Sequence, residues 1–510
     1  MIYNYNINFG AYNMNSINLG FLEVQHFTNN IEAISCLKKL ENTNKCPSVD
    51  DIEKLKKYIG WGSLSKAFPN SDDSFVSDSW RSRNTELKDL LTDAEYSDVK
   101  ASVTDSFYTP DFIISAMWAI AARLGQNNGV VLEPSCGNGK FIYQAPTPEN
   151  MRFVGVEKDS LSARIAKSIN HSNSYIFETG FEKLPLQQSC FDLVIGNPPY
   201  GDFSINLQDF LEYNKFSIHN QFILKSLKSL KNNRYAIYVV SRYVLDSTDT
   251  QARKEMSYMA DLVGAFRLPN GAFKDGATSN TEVITDILVF KRKCVNDEDF
   301  ARANYGKDYV SYPYWVNSTV LSSDSGKGIF INQYFNENPS HVCGEISFKS
   351  GPYGRELSII PTENVESRLN AWVLSNFKAS KETIIVDQNL IQTEFDALVA
   401  HLYIELSGKE IGVIDTNEAG KLFRVVEQDI DTGFRYKVQI LDENTIWSDK
   451  YIPHISGQYY EKVAQLDDLG QKIHEVNELG YSNGRVVYDK KFIDPEAIGV
   501  RSTLGKTPFK

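Results

Sequence analysis

Val130-Val131-Leu132-Glu133-Pro134-Ser135-Cys136-Gly137-Asn138-Gly139 decides the fold. Its first three residues are apolar and read as a buried strand. A Gly-x-Gly turn follows, and Lys140-Phe141-Ile142 opens a helix. A strand that runs through a glycine-rich turn into a helix is the building unit of doubly wound α/β sheets.

The same rhythm extends on either side. Phe153-Val154-Gly155-Val156, Tyr175-Ile176-Phe177, Asp192-Leu193-Val194-Ile195 and Tyr235–Val240 each read as a buried strand. Helical spacing near 111–124, 159–169 and 218–231 lies between them. Residues 105–293 are therefore expected to form one α/β core. In front of it, Ile31, Ile34, Leu37 and Leu40, then Val49, Ile52, Leu55 and Ile59, recur at helical spacing. Tyr58-Ile-Gly-Trp-Gly-Ser-Leu64 breaks that pattern, 69–84 reads as a polar loop, and a further helix is expected over Thr85–Val103. Residues 1–104 thus read as a helical extension, with Trp61 packing it against the core. Beyond 294 the rhythm is lost. Residues 365–405 read as partly helical and 408–455 as β-rich.

The chain has 510 residues, 42% hydrophobic and 23% charged, which is ordinary for a globular protein of two or three domains. Its six cysteines form no C-x-x-C pair, and His171, His219 and His341 make no ligand-spaced cluster with them. A zinc site and a disulfide framework are not expected. The start MIYNYNINFG lacks a signal-peptide pattern, and no apolar run reaches membrane-spanning length. A reduced, cytoplasmic protein is expected. The net charge of −12 argues against a uniformly basic nucleic-acid binder. A local basic face would suffice, with Lys225, Lys228, Lys231, Arg234, Arg242 and Lys291-Arg292-Lys293 as candidates.

Two loops carry the chemistry. In the first, Gly137 and Gly139 let a ligand approach the backbone, and Ile142 replaces the third glycine of the dinucleotide fingerprint. Glu133 would repel a pyrophosphate but attract the cationic methionine end of S-adenosylmethionine (SAM). Glu157, at the tip of the second strand, is placed to accept from ribose hydroxyls. The second loop is Asn197-Pro198-Pro199-Tyr200, directly after a strand. The prolines stiffen it and leave carbonyl acceptors. The Asn197 side chain and the Pro198 carbonyl would each take one N–H of an exocyclic amine and aim its lone pair at a methyl donor, while Tyr200 stacks on the base. No metal and no covalent intermediate is needed.

With both loops in this order, the sequence from Phe107 to Lys293 resembles the gamma-type, N6-adenine-specific DNA methyltransferases. It is also similar to the methylase portion of the large antirestriction methylase–helicase proteins of phages and conjugative elements, from near Asn30, through Tyr58-Ile-Gly-Trp-Gly, to Val263-Gly-Ala-Phe-Arg-Leu-Pro-Asn270. The resemblance implies a Rossmann-like, doubly wound SAM-dependent methyltransferase core with a helical N-terminal extension and a β-rich α+β C-terminal region at 294–510. That region would serve target recognition or partner docking. It implies SAM as cofactor, held by Thr109 of Phe107-Tyr108-Thr109-Pro110, by Glu133, Pro134, Cys136, Gly137 and Gly139, and by Glu157, Phe181 and Asn197. Phe181 would flank the SAM adenine. The family often has an aspartate before that aromatic; here Gly180 stands there, and Glu182 is the available substitute. Phe273 is either the second aromatic that sandwiches a flipped adenine or a core residue. Asp202 orients Asn197 or caps the next segment. DNA is the implied partner, flipped out of its duplex at the target. No G-x-x-x-x-G-K-[ST] loop occurs in the sequence, so any helicase partner is expected to be a separate chain. Two other functions fit the same motifs: methylation of RNA or protein glutamine, and a non-catalytic antirestriction protein with a vestigial methylase fold.

Overall fold

The computed structural model describes residues 19–407 except 44, 63, 105–107, 171–172, 274–282, 308, 325–326, 352–353 and 380–386. Beyond 407 it describes only the short strands named below. Seven strands make the central sheet: β1 (Gly129–Glu133), β2 (Met151–Glu157), β3 (Ser174–Glu178), β4 (Phe191–Gly196), β5 (Leu230–Ser241), β6 (Ala260–Arg267) and β7 (Thr285–Arg292). Their order is β3-β2-β1-β4-β5-β7-β6. The pairs β2–β3, β1–β2, β1–β4 and β4–β5 are parallel. β7 runs antiparallel to both β5 and β6. Without β7 the order is 3-2-1-4-5-6, the doubly wound arrangement with its switch point between β1 and β4. Every residue of β1 and β4 is buried. That is why both read as continuous apolar runs rather than alternating ones.

The helices are α1 (Leu19–Thr43), α2 (Val49–Leu55), α3 (Asp78–Leu90), α4 (Asp93–Ala101), α5 (Asp111–Arg123), α6 (Lys140–Tyr143), α7 (Ser160–Ile169), α8 (Ile218–Ser229), α9 (Tyr243–Asp246), α10 (Gln251–Met259), α11 (Val295–Asn304), α12 (Gln333–Glu337), α13 (Val365–Asn376) and α14 (Gln388–Ser407). Residues of α5, α7 and α13 pack on one face of the sheet. Those of α8, α10 and α14 pack on the other. The outer side of α7 contributes Leu161, Ile165 and Ile169 to a third core, built with Phe27, Leu37, Tyr58, Trp61 and Leu87. The front helices therefore form a layer over α7. Capping boxes at Ser48/Asp51 and Thr92/Glu95 set two of their starts.

Several expectations need adjustment. The polar stretch 69–84 is not all loop: α3 begins at Asp78, where the Ser77 side chain accepts from the Trp80 N–H. β6 went unread because a bulge between Leu262 and Gly264 breaks its pattern and leaves Val263 exposed. The expected boundary at 293/294 is not a gap in packing, since α13 and α14 cover the two faces of the sheet. Between them and β7 lie two hairpins, β8 (Ser318–Asp324) with β9 (Lys327–Asn332) and β10 (Glu345–Gly351) with β11 (Gly354–Ile360). Past α14, β12 (Ile414–Thr416), β13 (Leu422–Gln428) and β14 (Tyr436–Ile440) form one small sheet. A second contains β15 (Thr445–Tyr451), β16 (Gln458–Leu466), β17 (Lys472–His474) and β18 (Leu479–Ser482). These strands fall in and beyond the stretch read as β-rich. Among the described residues no helix is long and apolar enough to cross a membrane, and no cluster of three metal-ligating side chains occurs.

One polar junction fixes the edge of the sheet. Arg267 is fully buried and binds both oxygens of Asp246 and both of Asp286, each at 2.8 Å. Asp246 also accepts from the Asn332 N–H at 2.8 Å, and the Cys343 N–H donates to the Arg267 carbonyl. The segment 332–343 is thus anchored to β6. Removing the guanidinium would strand two buried carboxylates. Arg267→Ala is therefore expected to lower unfolding free energy by about 3–5 kcal/mol in urea denaturation; a loss under ~1 kcal/mol would contradict the junction's role.

Candidate cofactor and substrate site

The two loops meet at the switch point. β1 and β4 are neighbours in register, with Leu132 opposite Val194. Glu133 and Gly196 therefore end adjacent strands, and a Cβ on Gly196 would lie 3.5 Å from Glu133 Cγ and Pro134 Cδ. Ser135 Oγ donates to the Asn197 carbonyl at 2.9 Å and ties the loops together. Asn197 is half-buried, its Oδ1 is shielded from solvent, and Pro198 is buried.

The first loop is held in shape by a carboxylate. Glu157 accepts from the Gly137 N–H at 2.8 Å with one oxygen and from the Asp159 N–H at 2.7 Å with the other. Gly137 and Gly139 both have positive φ, 55° and 77°. At Gly139 a Cβ would collide with the Asn170 amide, and at Gly137 it would press on the Tyr108 ring at 3.1 Å. Glycine is required at both. The Cys136 side chain turns under the loop: its Sγ would lie 3.0 Å from a Cβ on Gly155 of β2, and its N–H donates to the Val156 carbonyl.

Glu133 is the unusual charge. It is 2% exposed, and its Oε2 has no hydrogen-bond partner. Burial, and then the nearby Glu157, push its carboxyl well above the usual carboxylate range. A cation arriving beside it would relieve both effects. Burial likewise raises Glu157 from 4.5 to about 7, against the pull of its backbone donors.

The front layer reaches this loop, which the sequence did not reveal. The buried Asn138 amide donates to the Tyr58 carbonyl at 2.7 Å. Asn30 brackets the same turn, donating to the Gly60 carbonyl and accepting from the Ile59 N–H. Tyr58 and Tyr108 meet edge to face, and the Tyr108 hydroxyl lies 3.2 Å from Ser162 Oγ. Tyr58-Ile-Gly-Trp-Gly was the available signal, read there only as packing by Trp61. Thr109 is buried, and its carbonyl accepts from Lys140 at 3.0 Å. Phe107 of the same motif lies outside the described residues.

The other expected site residues are spread between core and surface. Phe181 is 2% exposed and packs on Phe222 at 4.6 Å, inside the core rather than on an open wall. Gly180 and Glu182 are coupled: a Cβ at 180 would collide with the Glu182 carboxylate, which fills the place of a side chain there. Tyr200 is half-buried, and its hydroxyl points at the Val239 carbonyl of β5 at 3.5 Å. Phe273 is half-buried against the core on the α5 and α13 side. Asp202 is exposed.

The proposed basic face dissolves into internal ion pairs. Lys225 is fully buried, bound to Asp209 and to the Phe181 and Leu184 carbonyls. Lys231 and Arg234 bind Asp192, Lys228 and Arg292 approach Glu298, and Lys293 binds Asp261. These cations neutralise carboxylates within the fold.

The Glu157 shift has a testable sign. Its folded-state pKa is raised, so the native state holds the proton more tightly than the unfolded chain. Relative to Glu157→Gln, the wild type should lose stability as pH rises from about 4.5 to about 7. Urea titrations across that range check it; a difference that is flat or grows with pH would contradict it.

Comparisons with known proteins bear on this site. Residues 141–262, from α6 into β6, match the family described as Eco57I restriction-modification methylase. The chain is 22% identical over 411 residues to Defense against restriction protein B of Escherichia phage P1, covering 77% of this chain and 18% of that protein. It is 36% identical over 95 residues to the type II methyltransferase M.CvrRI of Paramecium bursaria Chlorella virus XZ-6E, covering 18% of this chain and 24% of that one. The chain thus spans under a quarter of the length of either relative. Among solved structures, a modification subunit of a putative type I restriction enzyme from Vibrio vulnificus YJ016 aligns with a TM-score of 0.32 and 18% identity, over 51% of this chain and 65% of that one. The matched stretch 141–262 holds the Asn-Pro-Pro-Tyr loop, and its likeness to that methylase family is in keeping with the resemblance the motifs bear.

Proposed function

We propose that this chain transfers a methyl group from SAM to the N6 amino group of an adenine flipped out of DNA. The observation that carries the reading is the junction of the two loops: a buried, unpartnered carboxylate oxygen on Glu133 stands beside the strand that leads into Asn197. A buried carboxylate of raised pKa calls for a cation, and the ammonium of the SAM methionyl group has that chemistry. The glycine turn at 137–139 gives the backbone clearance such a ligand needs. Thr109, Pro134 and the Cys136 backbone complete the cradle, and Glu157 accepts from the ribose hydroxyls while keeping its hold on the loop. Phe181 acts from beneath, as support for the pocket floor, and Glu182 supplies the acceptor for the SAM adenine amine that Gly180 cannot.

SAM supplies an electrophilic methyl on a sulfonium. The protein supplies alignment. The Asn197 side chain and the Pro198 carbonyl accept the two N–H bonds of the target amine and turn its lone pair toward the methyl. Pro199 keeps the turn rigid, and Tyr200, its hydroxyl held toward β5, presents its ring to the base, with Phe273 as the opposing aromatic. Such preorganised acceptors act without cost of reorganisation at the reacting centre.

Restriction-modification relatives favour DNA as the substrate, and the phage relative's printed name favours an antirestriction setting on a mobile element. A separate helicase or another mobile-element protein is the fitting partner.

Incubation with tritiated SAM and DNA should yield label that resists RNase and protease and co-migrates with N6-methyladenine after digestion. Label confined to RNA or protein would overturn the substrate assignment. Asn197→Ala should lower kcat by roughly 100- to 1,000-fold while SAM binding survives; an undiminished kcat would remove the mechanism.

A further inference from the structure

A crevice of about 250 Å³ opens past the end of β5, between that strand, the start of β7 and the β10–β11 hairpin. Its walls include Arg242 and Tyr243, just past β5, Ile284, just before β7, and Lys349, Glu356 and Leu357 of the β10–β11 hairpin. The volume is small for a cofactor or metabolite site, which typically spans ~300–1,000 Å³.

Tyr243 is 54% exposed at the rim of this crevice. It is nonetheless held still. The Arg242 guanidinium lies 4.3 Å from its ring centroid and donates to its hydroxyl at 3.1 Å. That guanidinium is bound to Asp246 at 2.9 Å, and Asp246 is clamped by the buried Arg267. The ring is therefore braced from within the fold and offers its remaining surface to the crevice. The Arg242 charge is matched by Asp246, and Lys349 stands across from Glu356 in register. A phosphate would meet a carboxylate here as well as a cation. A nucleobase is neutral, has an apolar face for the ring, and carries donors and acceptors on its edge.

Gly196 stands opposite Tyr238, so the catalytic loop leaves β4 beside the last residues of β5, and Tyr243 follows the end of that strand. Tyr200 points its hydroxyl at Val239, and Tyr243 follows four residues later along the same run of chain. Neighbouring strands lie about 4.8 Å apart. Bases stacked along one strand lie about 3.4 Å apart, and more when splayed.

We propose that Tyr243, braced by Arg242, is a stacking platform for the base adjacent to the target in the DNA strand, with the crevice as that base's pocket. This rests on the DNA-methyltransferase reading above. Stacking explains why an aromatic is exposed yet rigid, and why the fold needs no basic face there: stacking on an aromatic is tolerant of sequence and adds affinity base by base.

The test uses the full chain and fluorescein-labelled DNA of random sequence, single-stranded and duplex, read by anisotropy. Tyr243→Ala should raise the Kd for single-stranded DNA by about tenfold, and Tyr243→Phe should stay near wild type because the ring is kept. SAM affinity should be unchanged in both, which reports an intact fold. Irradiation of DNA carrying 5-iodouracil should give a crosslinked peptide that contains Tyr243. Wild-type DNA affinity in Tyr243→Ala, or equal losses in Ala and Phe variants, overturns the platform alone. A wild-type chain that binds no DNA overturns the methyltransferase reading together with the platform.

Discussion

The Glu157 carboxylate joins the ends of two parallel strands by accepting from Gly137 on one loop and Asp159 on the other. The rest of the site depends on that bridge. It bends the loop after β1 into a cradle with two left-handed glycines, and it holds Glu133 in a buried position facing the end of β4. Burial, and then the nearby Glu157, raise the proton affinity of Glu133, and burial raises that of Glu157. The arrangement is electrostatically costly as it stands. A cation between the loop and Asn197 offsets that cost, and so the same feature that strains the fold prepares it to bind.

The bridge is supported from both ends of the chain. In front, Asn30 shapes the Tyr58–Gly60 turn, and the Tyr58 carbonyl receives the buried Asn138 amide at the tip of the glycine loop. The helical layer therefore positions the loop rather than merely covering α7. Behind, Arg267 locks β6, β7 and α9 to the segment carrying Asn332, with Arg242 and Tyr243 at its rim. The −12 net charge fits this economy: nearly all the cations once suspected of facing nucleic acid are engaged inside the fold.

Much of this was legible in the sequence, for physical reasons. Strands buried on both faces announce themselves as unbroken apolar runs, so β1, β2 and β4 fell where Val130–Leu132, Phe153–Val156 and Asp192–Ile195 put them. The two loops were legible because glycine pairs and proline pairs each impose a backbone that few other sequences adopt. What escaped is long-range. β6 is interrupted by a bulge, so its periodicity fails at Val263. No local pattern says that Lys225 or Arg292 will be buried against Asp209 or Glu298, since those partners are set by packing. Phe181 was expected to flank the SAM adenine, and its burial against Phe222 of α8 is likewise set by packing. Asn138 is hidden for the same reason, as its partner lies 80 residues earlier.

The central claim is that Glu133 and Asn197 face one cleft that takes the amino-acid end of the methyl donor. A crystal structure of the full chain with sinefungin, a donor analogue bearing an amine where the methyl sits, tests it most directly. The account predicts the analogue's α-ammonium within hydrogen-bond distance of Glu133, its ribose at Glu157, and its amine turned toward Asn197. An analogue bound elsewhere, or bound here with Asn197 directed away from that amine, would contradict it.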